Sequence, residues 1–269
     1  MQVLFISLMV LFLSSNLFAQ ERVLKLGVVP QQSASSLAKV WLPLTQSISE
    51  KTGYKIRFST APNIPEFERR VAAGEYDITY LNPYHYTVFS QSNGLRAIAR
   101  QKDKRIHGIM VVRKDSDISS LSMLSGVEIA FPAPAAFAAT ILPQAHLRLE
   151  GISFMPQYVS SHDSVYSGVV KGLFLAGGGI DRTLSTFPKA QSEQLKVVWR
   201  SKGYTPHAFA VSAELSEEET DRIQDALLSL NDQQEGMEIL TRLGFKTGLM
   251  KSEDSDWDDV RSLKIDLLK

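Results

Sequence analysis

The chain has 269 residues, 44% of them hydrophobic and 22% charged, with 29 basic and 29 acidic residues scattered rather than blocked. That length supports one large domain or two smaller ones, each with its own core. Zero net charge gives neither the basic footprint of a nucleic-acid binder nor an anionic-membrane patch, and the absence of cysteine excludes disulfides, thiolate metal sites, a cysteine nucleophile and a lipid-anchored mature N-terminus.

The chain opens with MQVLFISLMVLFLSSNLFAQ, which carries no charged side chain. Val3 to Leu13 has the length of a secretory apolar region and is too short to span a bilayer comfortably. Ala19 offers a small residue before Gln20, so residues 1–19 are predicted to be a cleaved export signal. No Lys or Arg precedes the run, and an uncleaved anchor is the alternative.

From Val23 short apolar runs alternate with amphipathic stretches, the pattern of an α/β protein. VLKLGVV (23–29) reads as a strand. Leu37 to Lys51 reads as a helix with Leu37, Val40, Trp41, Leu44 and Ile48 on one face, and Pro43 predicts a kink or a later start. KIRFST (55–60) is a second strand, 65–73 a helix closed by Gly74, and YDITYLN (76–82) a third strand. A second set follows: strands at 108–113, 127–132 and 155–161, a short helix at 120–124, and helices at 136–150 (interrupted by Pro143) and 164–171. LFLAGGGI (173–180) reads as a strand breaking on three glycines, and LKVVWR (195–200) as the last strand of this set. HAFAVS (207–212) looks like a return to the first set, followed by helices at 216–230, with a capping-box start, and at 233–243. The segments 101–107 and 200–206 read as two crossings between two lobes.

Ligands in open α/β sheets lie beyond the carboxyl ends of the strands, so the residues after each strand nominate a site. Gln31 follows the first strand, and YLNPYHY (80–86) the third. That cluster of tyrosines either walls a pocket or packs as an aromatic helix start. VEIAFP leads into the bare segment PAPAAFAAT, and MPQYVSS into Ser161-His162-Asp163-Ser164. Adjacent Ser, His and Asp do not make a triad; Ser161 or Asp163 capping the next helix is the simpler reading. There is no G-x-S-x-G elbow and no histidine–carboxylate spacing suited to zinc. Gly177-Gly178-Gly179 lacks dinucleotide spacing and serves either a close backbone approach or a tight turn.

Taken in order, GVVPQQS, EYDITYLNP, FPAPAAFAAT, SSHDSVYSGVVKG, LAGGGI and VVWRSKGYTPH resemble the PhnD-like phosphate/phosphite/phosphonate periplasmic substrate-binding proteins of ABC transporters, over essentially the whole mature chain. The resemblance implies a type II periplasmic-binding-protein fold: an α/β lobe from 20–104 and 204–269, a second from 105–203, two crossing segments and a ligand cleft between. It implies a non-enzymatic, cofactor-free periplasmic protein that closes on a small ligand. The partner would be an ABC permease or, on the alternative reading, a membrane sensor kinase; neither nucleic acid nor membrane insertion is expected. The expected walls are Gln31, Tyr80, Asn82 and Tyr84 from the first lobe, and Phe137, Thr140, Ser161, His162, Asp163 and Tyr166 from the second. Tyrosines and Phe137 would supply shape and stacking, Asn82 and Thr140 hydrogen bonds, and His162 a partly pH-dependent donor.

Three departures bear on the ligand. Members of this family carry a Ser-Thr-Ser-Gly type stretch before the second-lobe helix, where hydroxyls and amides hold an anion. Here the corresponding stretch is Pro134 to Thr140, and only Thr140 keeps a hydroxyl. The family's His-Glu pair reads His162-Asp163, and the aspartate expected before the glycines reads Leu175. The last two disfavour an aminophosphonate.

Overall fold

The computed structural model describes residues 23–268, and the predicted export signal, residues 1–19, lies outside the described residues. The first lobe begins with β1 (Val23–Val28), α1 (Ala34–Thr52), β2 (Lys55–Thr60), α2 (Ile64–Ala72), β3 (Ile78–Leu81), α3 (Pro83–Ser92) and β4 (Arg96–Gln101). Each helix starts where a short polar side chain takes an orphan N–H: Ser33 accepts from Ser36, Asn63 from Glu66 and Asn82 from His85. α1 runs through Pro43 instead of starting after it, and buries Leu37, Trp41, Leu44 and Ile48 on the predicted face.

The second lobe holds β5 (Gly108–Arg113), β6 (Val127–Phe131), α4 (Leu142–Leu149), β7 (Phe154–Tyr158), α5 (His162–Val170), β8 (Ala176–Ile180), α6 (Asp181–Thr186), α7 (Lys189–Ser192) and β9 (Leu195–Arg200). The chain then returns to the first lobe through β10 (Ala208–Val211), α8 (Glu217–Leu228), α9 (Gln234–Arg242), β11 (Leu249–Lys251) and α10 (Asp258–Arg261). α8 opens with the predicted capping box, Ser216 and Glu219 each binding the other's backbone N–H.

The first sheet has the order β11-β4-β10-β3-β1-β2, and the second β7-β6-β8-β5-β9. β1 pairs in parallel with β2 and β3, whereas β10 lies antiparallel between β3 and β4, with Ala208 opposite Leu81. The carboxyl ends of β1 and β3 and the amino end of β10 therefore meet at one edge. In the second sheet β6 is parallel to β7 and β8, and β5 is antiparallel to β8 and β9, with Gly108 opposite Ile180. The two edges face each other across the crossings between β4 and β5 and between β9 and β10. Ile106 and Tyr204 form a β-bridge between these segments, exchanging both backbone hydrogen bonds at 2.8 and 2.9 Å, and Arg105 adds hydrogen bonds to Gly203 O and Thr205 Oγ1.

Each face of the second sheet carries its own apolar cluster, one around Val111 and Val165 and the other around Met110 and Leu147. The core of the first lobe does not stop at the cleft. It continues through Ala133, Ala135, Phe137 and Ile180 of the second lobe.

The predicted helix over 136–150 divides. A wide π-type turn, Phe137–Ile141, leads into α4, with Leu142 N–H bonding to the Phe137 carbonyl five residues back. Pro143 explains the change of register, because it has no N–H to return to the Ala139 carbonyl four residues earlier. The glycine triplet corrects a second expectation: it is the body of β8 and not a break in it. A Cβ on Gly178 would sit 2.0 Å from the Ala139 carbonyl oxygen, and one on Gly108 of the neighbouring strand 2.1 Å from the Ala138 oxygen. Of the two readings of the triplet, close backbone approach is the one the fold uses. A Gly178→Ala substitution drives a methyl group into a backbone carbonyl that no rotamer can move, so it should cost about 1–3 kcal/mol as overpacking does. A urea titration with the midpoint lowered and the slope unchanged is the expected result.

Candidate functional site

Because Ala138 and Ala139 press on β5 and β8, the turn 137–141 presents its amino end to the gap between the lobes. Thr140 N–H makes the first return bond, to Ala136 O at 2.8 Å. The N–H groups of Phe137, Ala138 and Ala139 thus head the helix, where anions are favoured. A void of about 10 Å3 lies against Ala136 to Ala139, closed on the far side by Val29, Gln31, Asn82 and His207 and flanked by Ile106, His162 and Ile180. Beside it, sharing Ile106, Ile180 and His207, lies a second void of about 40 Å3 reaching Tyr80, Lys104, Arg105, Asp181 and Arg182. The smaller has room for about one water molecule, so a larger guest enters only as the lobes part.

Several polar contacts cross the gap. Asn82 Nδ2 donates to the Ala135 carbonyl at 3.2 Å while its Oδ1 caps α3. Gln32 Nε2 donates to Thr186 Oγ1 at 2.8 Å. Arg182 donates to the Tyr80 hydroxyl at 2.8 Å. Asp163 faces the backbone N–H of Ser33 at the head of α1; burial pushes its carboxyl pKa up, and that N–H partly offsets the rise. Tyr80 itself sits in an aromatic stack, 4.7 Å from Trp41, 4.9 Å from Phe209 and 5.1 Å from a nearly parallel His207.

The structure brings Gln31, Tyr80, Asn82, Phe137, His162 and Asp163 to this gap. Phe137 packs edge-on against Tyr204 of the second crossing at 5.4 Å. Ser161 is the helix cap, accepting from Ser164 N at 3.1 Å. Tyr84, Thr140 and Tyr166 go elsewhere. The Tyr84 hydroxyl accepts from Leu267 and Leu268 N–H at 2.7 and 2.9 Å and ties down the C-terminal segment. His85 and Tyr86 are likewise engaged within the first lobe, with Glu68 and Asp254. Tyr166 is fully buried under β8, its hydroxyl bonded to both backbone groups of Ile180 and to Thr183. Thr140 Oγ1 is buried without a hydrogen-bond partner among the described residues. Leu175 stands before β8, at the end away from Ile180 and the crossings, and is 53% exposed.

Sequence reasoning missed Arg182 and His207. Arg182 follows β8 by two residues, but reading the glycines as a break ended the search too early. His207 precedes its strand, and only the antiparallel insertion of β10 brings a strand's amino end to the cleft.

The expectation that His162 is a partly pH-dependent donor does not fit its burial. Burial pushes its pKa down to about 3, so the ring is neutral and its Nδ1 lies 3.3 Å from Thr183 Oγ1. His207 is also held well below its ordinary range, first by burial and then by Arg182, His85 and His162. The amide N–H of Gln31 meets its Nε2 at 2.9 Å, which requires that nitrogen to be unprotonated. With folded pKa values lowered, the unfolded chain binds more protons below about pH 6.5. Stability is therefore fully present above that pH and is lost as pH falls toward 3. Thermal unfolding between pH 7 and 4.5 should show this slope, and His162→Asn should reduce it by up to about 1.4 kcal/mol per pH unit. An identical slope in the variant would mean that His162 is not buried as a neutral ring.

Comparisons with known proteins bear on the fold and the family. The profile of the family described as "ABC transporter, phosphonate, periplasmic substrate-binding protein" matches residues 26–257. The phosphate-import protein PhnD of Mycolicibacterium smegmatis is 24% identical over 88% of this chain and 83% of its own length. The phosphonates-binding periplasmic protein of Escherichia coli is 22% identical over 84% of this chain and 71% of its own. The crystal structure of PhnD1 from Prochlorococcus marinus in complex with methylphosphonate superposes with a TM-score of 0.83 at 18% identity, covering 90% of this chain and 96% of that one. A binding component of an ABC phosphonate transporter from Pseudomonas aeruginosa gives the same TM-score at 17% identity, covering 91% and 86%. The two-lobed fold is that of type II periplasmic binding proteins, and the chain belongs to the phosphonate substrate-binding family of ABC transporters.

Proposed function

We propose that the protein is an exported periplasmic binding protein that closes on a small phosphonate- or phosphate-like oxyanion and delivers it, chemically unchanged, to an ABC permease. The observation that carries this reading is the polar cleft between the lobes, with the head of the 137–149 helical segment, Gln31, Asn82 and His207 lining one void and Tyr80 and Arg182 the void beside it. Residues 20–104 with 204–269 would move as one body and 105–203 as the other, hinging at the paired crossings around Ile106 and Tyr204. Removal of residues 1–19 would release the mature chain; no helix among the described residues is long and apolar enough to cross a membrane.

The loss of the family's loop hydroxyls sets the affinity to expect. A helix N-terminus favours an anion by about 0.3–1 kcal/mol, whereas each hydroxyl bond to a charged group is worth about 1.5–3 kcal/mol. The bare loop cannot by itself reproduce tight anion binding, and the polar groups of the facing lobe must contribute. Thermal unfolding in the presence of methylphosphonate, phosphite, phosphate and sulfate tests the reading. A ligand at about 100 times its Kd adds roughly 2.7 kcal/mol of stability, and Tyr80→Phe, which removes the hydroxyl and keeps the buried ring, should reduce the gain while leaving a folded protein. If none of the oxyanions raises the melting temperature, the proposal fails.

A further inference from the structure

The larger of the two voids has an unusual charge balance. Arg105 is engaged by Asp259 at 2.6 Å, and Asp181 by Arg200. Arg182 is left half-buried with no carboxylate partner among the described residues. Its contacts are one neutral hydroxyl, that of Tyr80, and two ring faces, with the guanidinium carbon 5.6 Å from the Tyr80 centroid and 5.1 Å from that of Phe245. A guanidinium has five N–H donors in a fork that matches a phosphoryl group, and this one uses a single donor on Tyr80. The only other charged group on the void without an ion pair is Lys104, also a cation. Partial burial of an uncompensated charge is unfavourable unless an anion completes it.

Resting on the oxyanion reading above, we infer that Arg182 is the residue that fixes the anionic group of the ligand, which sits at Arg182 and Tyr80 and not at the helix head. The remainder of the ligand then extends past Ile180 and His207 toward the methyl-lined Ala136 to Ala139, where Phe137 closes the end. This orientation accounts for both oddities of the sequence at once. The loop can lose its hydroxyls because the charge is read elsewhere, and the histidines of the cleft, neutral through burial, need not supply a charge because the cation is a side chain that cannot be deprotonated. The competing role for Arg182 is that of a clasp holding the lobes together through Tyr80.

The test is calorimetric titration of the full chain and its Arg182→Lys and Arg182→Gln variants with methylphosphonate and with inorganic phosphate, alongside the melting temperature of each variant. For an anion anchor, Arg182→Gln weakens both oxyanions by at least about thirtyfold and Arg182→Lys stays within about tenfold of the unaltered protein, with melting temperatures unchanged; thirtyfold corresponds to roughly 2 kcal/mol. Equal losses in both variants accompanied by lowered melting temperatures would assign Arg182 to the clasp and overturn the inference. Unchanged affinity in Arg182→Gln would place the anion at the helix head and overturn it too, leaving the proposed function standing. If the unaltered protein binds neither oxyanion, the proposed function falls and this inference with it.

Discussion

The position of the cleft depends on two backbone carbonyls resting on two strands. Ala138 O and Ala139 O approach β5 and β8 to distances that any side chain on Gly108 or Gly178 would prevent. The carbonyls are directed there by a helical turn that widens ahead of Pro143. With the carbonyl side fixed against the sheet, the amino side faces the other lobe. The opposite wall is positioned by a different constraint. Inserting β10 antiparallel beside β3 puts Ala208 opposite Leu81, and so places His207 next to Asn82 at the same edge. Neither arrangement requires a ligand; both follow from which strands pair and which residues lack a Cβ.

The elements that could be read from the sequence are those whose partners lie nearby along the chain. β1, β2 and β3 alternate with helices and fill one another's buried faces, so their periodicity is strong. β4 is not legible from its own residues: RAIARQ places an arginine at each side of a short apolar stretch. Arg96 reaches the Leu215 carbonyl and Thr220, and Arg100 pairs with Asp256, partners more than a hundred residues away that a local pattern cannot reveal. Helix α3 was only half visible. The aromatic run YHY was open to a pocket or a packed helix, and three of its side chains turn out to bind the C-terminal segment, Glu68 and Asp254.

The rule that sites follow strand ends finds Gln31, Asn82 and His162, because each lies in the short turn or first helical residue after a strand, beyond Val28, Leu81 and Tyr158. It failed at β8 for a physical reason. Glycine is ordinarily a break, but a strand gripped on both faces must be bare: Gly177 and Gly179 lie against Val165 and Tyr166, and Gly178 against the Ala139 carbonyl. The same mistake hid Arg182. The chemistry of His162 is not legible in the sequence because a position says nothing about burial, and burial alone lowers this ring's pKa to about 3 and keeps it neutral near neutral pH.

Those features together limit how closure can be driven. The apolar core of the first lobe runs on into Phe137 and the alanines of the second, and polar contacts at Asn82, Gln32 and Tyr80 tie the lobes as well. These contacts favour the closed arrangement whatever occupies the cleft. A ligand shifts the equilibrium only by its differential affinity for the two arrangements, so its useful interactions are those that require both walls. An anion held by Arg182 of one lobe beside Tyr80 of the other meets that condition, whereas one resting on the helix head alone would be held almost as well with the lobes apart. In a cleft whose histidines are neutral and whose loop is bare, the proposed anchor would draw the closing signal from charge placed on one wall and read beside the other.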